Sequence, residues 1–381
     1  MEAAARGLRG IEVDRTAIST VDGERGELRY RGYRIEELVE RARFLEVVGL
    51  VLDGELPDPA GEAALEQALR ARDLPPSALA LLSALPRDTH PMTVVQVALP
   101  LLDGAADKAR PRERARDVQR AALLGLAARL PTLLAAWTRI RAGQDPVAPD
   151  PGLPLHEDFL RMVRGGVSPD PLEVRTLDAT QILQMEHGFN ASTFTARVAA
   201  STLAPLSEVL SAATAALHGP LHGGADEAAY RMALEIGDPA AAPAWVDAAL
   251  ARKEKLMGLG HREYKVVDPR AVVLRPMALA LARERGQARV VETLVAVDDH
   301  AERRFAAQGK RVRANVEFYK GAVFAALGLS PDLFTTLFVL ARVYGWGAHV
   351  LELWDDNALV RPQASYVGPG PRPFPERPAL R

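Results

Sequence analysis

Leu217-His218-Gly219-Pro220-Leu221-His222-Gly223-Gly224-Ala225-Asp226-Glu227 sets a histidine in a glycine-rich loop that opens a helix near Ala225. Glycine at 223 and 224 lets the backbone approach a ligand closely. A helix starting at Ala225 aims its positive end back at the loop, which disfavours imidazolium and favours a neutral imidazole that donates a hydrogen bond. The same spacing equally describes a loop histidine that only caps a helix. Two later stretches are built alike, Met257-Gly258-Leu259-Gly260-His261-Arg262-Glu263-Tyr264-Lys265 and Asn315-Val316-Glu317-Phe318-Tyr319-Lys320-Gly321. Together they offer two histidines and a carboxylate, a set able to run acid–base chemistry without a metal or a covalent nucleophile.

Around these stretches the hydrophobic pattern is mostly helical. Residues 9 to 31 predict short strands, with Ile11, Val13, Ala17 and Ile18 before the turn Val21-Asp22-Gly23-Glu24 and Leu28 to Tyr30 after it. Apolar spacing then predicts helices over Ile35 to Leu52, Ala63 to Ala71, Pro76 to Leu85, Met92 to Leu102, Asp117 to Arg141, Leu177 to His187 and Thr193 to Leu203. Ser330-Pro331-Asp332 supplies a start signal for another, with Leu333, Phe334, Leu337, Phe338 and Ala341 at helical spacing. Residues 143–152 read as a Pro-rich surface linker, and the Pro-rich end, 368–375, as an extended tail.

A chain of 381 residues exceeds one ordinary core and predicts a large domain plus a smaller one. Apolar residues make up 48% and aromatic residues only 6%, so Ala, Leu and Val must fill the interior. Lys and Arg number 47 against 49 Asp and Glu, which leaves no global field for nucleic acid or an anionic membrane; an anionic ligand must be held by local charge. Cysteine is absent, which removes disulfides, thiolate nucleophiles and cysteine metal sites. The start, Met1 to Gly7, lacks the apolar core of a secretory signal, and no later run approaches about 18 apolar residues, so a soluble cytoplasmic protein is expected.

His218 lies four residues before His222, yet Gly219-Pro220 breaks the helix a metal pair would need, and no metal is expected. His261 repeats the glycine-flanked setting of His222, and an ordinary surface loop is its alternative. Glu317 opens the apolar segment Phe318 to Leu327, where a carboxylate's pKa can rise toward that of a working base, or where it serves as an exposed first-turn acid. Arg270, Arg342 and Arg361 are cations suited to bidentate grip on a small dianion, although most arginines are solvated surface charges.

The order and spelling of these segments resemble the citrate synthase family along nearly the whole chain. The likeness includes Thr16-Ala17-Ile18-Ser19, Tyr30-Arg31-Gly32-Tyr33, His90-Pro91-Met92, His187-Gly188-Phe189-Asn190-Ala191-Ser192-Thr193, the His222 and His261 loops, Asp268-Pro269-Arg270, Asn315 to Tyr319, Ala341-Arg342-Val343 and Arg361-Pro362. The resemblance implies an all-α fold with a short β segment near the N-terminus. A large domain, 1–223 with 323–381, would carry the oxaloacetate site and the dimer interface, and a small domain, 224–322, the acyl-CoA site. It implies a homodimer that condenses acetyl-CoA with oxaloacetate and water to citrate and coenzyme A, an acyltransferase of the tricarboxylic acid cycle with no permanently bound cofactor. His222, His261 and Glu317 would be catalytic. His187, Arg270 and Arg342 would hold oxaloacetate, with Arg361 donated by the other subunit. Lys265 matches a family position that meets coenzyme A; Lys255 and Arg262 join it through their charge.

Four positions depart from the family pattern. Glu317 stands for the family's aspartate base and is longer by about one 1.5 Å bond. Glu263 replaces an apolar residue and is expected to raise the pKa of His261. Lys320 replaces a small polar residue, and Asp226 an asparagine. The alternatives to citrate synthase are 2-methylcitrate synthase, which uses propionyl-CoA on the same scaffold, and a weakly active paralogue that senses ligand.

Overall fold

The computed structural model describes residues 6–8, 10–102 and 115–375. Most of the opening stretch read for a leader, residues 1–5, lies outside them. Strands β1 (Ser19–Asp22), β2 (Glu27–Tyr30) and β3 (Tyr33–Arg34) form one antiparallel sheet in that order, with Ser19 opposite Tyr30. Helices then follow almost without interruption: α1 (Ile35–Arg41), α2 (Phe44–Asp53), α3 (Pro59–Ala68), α4 (Pro76–Ala84), α5 (Pro91–Leu102), α6 (Arg116–Arg141), α7 (Leu155–Val163) and α8 (Pro171–Gln184). They continue with α9 (Ala191–Ser201), α10 (Leu206–His218), α11 (Ala225–Ile236), α12 (Ala242–Ala251), α13 (Pro269–Glu284), α14 (Ala288–Ala306), α15 (Val316–Ala326) and α16 (Phe334–Asp355). The fold is all-α apart from the small sheet.

Several elements differ from the sequence reading for local reasons. The helix expected over Ile35 to Leu52 is two helices, because Ala42 and Arg43 are extended and the Glu46 side chain accepts from the Arg43 backbone N–H (2.7 Å), capping a new start. Asp58 accepts from Gly61 N–H ahead of Pro59, so α3 begins earlier than its apolar spacing indicates. Ile11 and Val13 lie outside any strand and are exposed, since the pairing register starts at Ser19. The expectation that no run approaches membrane-span length is corrected by α6, which by length and composition could cross a bilayer. The helix itself matches the one predicted over Asp117 to Arg141, but scattered arginines interrupt its apolar run. Within this fold 72% of its apolar window is buried, against α5, α7 and α16, as befits a core helix.

Helix α16 is apolar on all sides and buried from Thr336 to Leu351, with α2, α5, α6, α8, α9 and α10 packed around it. Two glycines permit the closest approaches. A Cβ on Gly345 would collide with the Met185 carbonyl oxygen and with Glu186 Oε2, and one on Gly347 with the Leu123 side chain. Helices α11 to α15 pack mainly on one another and meet the rest through α1, α8 and α16. The connections that enter α11, α13 and α15 carry the stretches around His222, His261 and Asn315. An antiparallel bridge, Leu259 with Ala314, ties the last two side by side, reinforced by Gly260 N–H to Arg313 O (2.7 Å) and Asn315 N–H to Gly258 O (2.9 Å).

Gly345→Ala should therefore lower the unfolding free energy by about 3 kcal/mol through overpacking against backbone, read as a reduced urea midpoint. Gly125→Ala, which meets only the flexible end of Arg129, should be neutral or stabilising. Equal midpoints for both variants would contradict the packing of α16 on α8.

Candidate active site

Helix α8 ends where the Tyr30 hydroxyl comes within hydrogen-bond distance of the Ile182 and Glu186 carbonyls (3.0 and 2.9 Å). Glu186, fully buried, accepts from the Ser19 hydroxyl (2.9 Å) and the Gly188 backbone N–H (2.5 Å), and pairs with His349 Nε2 (2.9 Å). Burial favours neutral forms of both partners, but their mutual attraction prevails: Glu186 titrates below an ordinary glutamate and His349 above an ordinary histidine. This ion pair fixes the turn that presents His187, whose Nε2 lies 3.0 Å from the Tyr264 hydroxyl. The His187 and His261 rings meet edge to face at 5.3 Å.

His222 sits at the entry to α11, as its stretch predicts. Its Nε2 accepts the backbone N–H of Ser192 (3.3 Å) and lies 2.8 Å from the Ser192 hydroxyl, which also receives the Trp346 indole N–H (3.1 Å). A backbone N–H can only donate, so Nε2 is the acceptor and the ring proton belongs to Nδ1. His261 shows the opposite tautomer. Its Nδ1 accepts from the backbone N–H groups of Glu263 (3.0 Å) and Tyr264 (3.3 Å), which leaves the proton on Nε2. Each histidine is thus a neutral imidazole, with its ring proton on Nδ1 at His222, within hydrogen-bond reach of that residue's own backbone carbonyl, and on Nε2 at His261.

Burial is the main cause of that neutrality. It lowers both pKa values to about 4, helped at His222 by Arg342 and Lys320 and at His261 by Arg270. The expected rise at His261 from Glu263 is overturned: the Glu263 side chain is exposed, and the residue acts through its backbone N–H. At His222 the desolvating surroundings lead, rather than the helix end invoked from sequence.

The cations divide sharply. Arg270 is buried and chelated by its neighbour Asp268 (Nε to Oδ1 3.0 Å, NH2 to Oδ2 2.8 Å), and burial's tendency to lower its pKa is outweighed by that carboxylate. Arg342 is 1% exposed, gives Nε–H to the Gln184 carbonyl (2.7 Å) and stands 4.6 Å from the Phe338 ring. Among the described residues no carboxylate lies within ion-pair distance of it, and burial lowers its pKa to about 10. A buried guanidinium in that situation is suited to receive an anion.

Glu317 follows the Asn315 cap on α15 and is 8% exposed. Burial raises its pKa above an ordinary glutamate, Lys320 opposes and Asp226 reinforces. The other predicted site residues scatter. Arg262 and Lys265 flank His261 on the exposed side of its loop, and Lys255 is exposed on the segment after α12. Arg361 is exposed in the tail, where among the described residues it donates only to the Pro362 carbonyl (2.9 Å), and this single chain does not bring it to the site. His218 closes α10 and stacks on His90 at 4.8 Å. Sequence reading misses Ser192, Tyr264 and Trp346 as ring-orienting partners; Ser192 is visible there only within the family-like stretch His187 to Thr193.

The family model described as citrate synthase, C-terminal domain, matches residues 7–363. The chain belongs to the citrate synthase family. Citrate synthase 2 of Bacillus subtilis is 38% identical over 376 residues, covering 97% of this chain and 98% of the relative. A 2-methylcitrate synthase of Mycobacterium tuberculosis is 40% identical over 371 residues, covering 97% and 92%. Among solved structures, the citrate synthase of Thermoplasma acidophilum, in ternary complex with carboxymethyl coenzyme A and oxaloacetate, superposes with a TM-score of 0.90 at 30% identity over 98% of both chains. The Pyrobaculum aerophilum citrate synthase gives 0.90 at 36% identity, covering 97% and 93%.

In a family member built this way, NMR titration of the ligand-free protein should find His222 and His261 neutral through the physiological range, protonating only near pH 4. Nitrogen shifts should report opposite tautomers. Midpoints close to the ordinary 6.5 would contradict this half-buried, desolvated placement.

Proposed function

We propose that His222, His261 and Glu317 perform the acid–base chemistry of citrate synthesis, with His187, Arg270 and Arg342 holding oxaloacetate. The protein is an acyltransferase that condenses acetyl-CoA with oxaloacetate and water to give citrate and coenzyme A. The observation that carries the assignment of roles is the pair of neutral histidines with opposite ring tautomers, beside a buried guanidinium that has no carboxylate partner among the described residues. Oxaloacetate supplies the missing carboxylate at Arg342, and its carbonyl oxygen accepts from His261 Nε2–H. The Nδ1–H of His222 donates to the thioester oxygen while a Glu317 carboxylate oxygen takes a proton from the acyl methyl group. The resulting enol carbon bonds to the oxaloacetate carbonyl carbon, whose oxygen becomes the hydroxyl of citryl-CoA. Water then cleaves the thioester.

The chain organisation supports two parts, 1–223 with 323–381 and 224–322, that enclose the substrates between them. Coenzyme A is assigned to the side of α11–α15 where Lys255, Arg262 and Lys265 are exposed. A cleft of about 350 Å³ beside them, lined by Val266, Val267, Lys310 and Arg311 among others, adds cations for its phosphates. A homodimer completes the reading. The tail exposes Leu359, Tyr366, Val367 and Phe374 along with Arg361, a surface suited to lie on a second copy and deliver Arg361 there. A cytoplasmic location belongs to the same reading.

Propionyl-CoA is the second reading for the acyl donor, because relatives at comparable identity carry both names, and one methylene is worth only about 1–3 kcal/mol of discrimination. Coenzyme A release with oxaloacetate and each acyl-CoA in parallel decides between them; no release with either, from a protein that binds oxaloacetate, would leave the ligand sensor.

Glu317→Gln should reduce condensation by about 10²-fold or more and leave oxaloacetate affinity nearly unchanged, as measured by calorimetry; near-normal turnover would remove Glu317 from its role. Mixing an Arg361→Ala chain with a His222→Ala chain should restore one intact site per heterodimer. Confirmed heterodimers without activity would refute donation across the interface.

A further inference from the structure

Three of the four departures from the family pattern meet in space. Lys320 Nζ is 2.7 Å from Glu317 Oε2 and 3.1 Å from Asp226 Oδ2, and it stands 4.1 Å from the Phe338 ring centre. Lys320 and Asp226 are fully buried, 0% exposed. A buried ammonium without partners would be strongly unfavourable, and here two carboxylates and an aromatic face supply them. The geometry follows from the helix. Side chains on α15 lean toward its N-terminus, so Lys320 reaches back over one turn to Glu317. Gly321 then lets α11 come close enough to present Asp226, since a Cβ there would stand 2.6 Å from the Asp226 carbonyl oxygen.

Resting on the reading of Glu317 as the base, we infer that Lys320 is its positioning residue: gripped from the far side by Asp226, it fixes one carboxylate oxygen of Glu317 and leaves the other for the acyl-CoA proton. Among the described residues no hydrogen bond reaches Glu317 Oε1. The extra methylene of glutamate over aspartate is drawn back along the helix by this pair, which keeps the base from overreaching. Asp226 matters because it shares the ammonium. Without Asp226, Lys320 would pair with Glu317 alone; without Lys320, two buried carboxylates would be left near one another with no cation between them.

The other charged groups facing Glu317 are Arg270 on α13 and Arg342 on α16, while His222 beside them is neutral. Asp298 on α14 is committed to Tyr319 and Arg313. Changing the clamp therefore shifts Glu317 in opposite directions. Lys320→Met strengthens the proton's hold and moves the titration upward; Asp226→Asn weakens it and moves the titration downward.

The test uses full-length protein with ¹³C-labelled glutamate, following the Glu317 carboxyl by infrared difference against Glu317→Gln, alongside kcat and KM for coenzyme A release across pH. Lys320→Met should raise the midpoint and the acid limb of the rate profile by about one pH unit or more, lower kcat, and leave KM for oxaloacetate unchanged. Asp226→Asn should lower both. Shifts in the same direction, or none, would overturn the clamp. If Lys320→Met fails to fold, the Asp226→Asn shift and that of the Lys320→Met/Asp226→Asn double variant decide the question. A wild-type protein that releases no coenzyme A would refute the reaction while the infrared midpoints still judge the clamp.

Discussion

A helix that is apolar on every side has to be surrounded, and the burial of α16 organises this molecule. Leu337, Val339, Val343, Val350 and Leu351 give each face something to bury, so α2, α5, α6, α8, α9 and α10 pack around it as a sleeve. The few polar side chains on α16 are then forced into the interior, where each needs a partner. Trp346 finds Ser192, His349 finds Glu186, and Arg342 finds a single carbonyl. The functional cluster forms where the central helix cannot satisfy its own polar groups.

Electrostatics in that cluster follow from dehydration rather than from local acids. Removing water costs a cation more than it costs a neutral ring, so His187, His222 and His261 give up their protons well before the arginines do. The surviving positive charges then discourage protonation of the rings still further. A single environment thus yields cations that keep their charge and imidazoles that lose theirs. The backbone decides which ring nitrogen carries the proton, through Ser192 at His222 and through Glu263 and Tyr264 at His261.

Much of this is legible in the sequence, and unevenly so. Helices with a Pro at the first turn and an Asp or Ser before it declare their starts, and the glycine-marked stretch around His261 is tied to the one that carries Glu317. What fails to show is anything that depends on distance across the chain. Glu263 reads as an acid aimed at His261, because neighbouring letters carry proximity without direction; its side chain points to solvent. The helix α6 is legible almost to the residue, but arginines at its ends and middle break up its apolar run, so its span-like composition is not. Lys320 and Asp226 register only as mismatches, since nothing in the letters places residues 94 positions apart at one another's side.

The turn of the N-terminal hairpin carries a consequence of another kind. The Gly23 carbonyl accepts from Lys265 N–H (2.8 Å), and a Cβ at position 23 would strike the Glu263 carbonyl oxygen. Glu263 is the residue whose N–H orients His261. A hairpin far from any catalytic signature is therefore part of the mould that sets an imidazole's angle. Mutational tolerance at the turn between the first two strands would follow the demands of a ring more than 230 residues downstream.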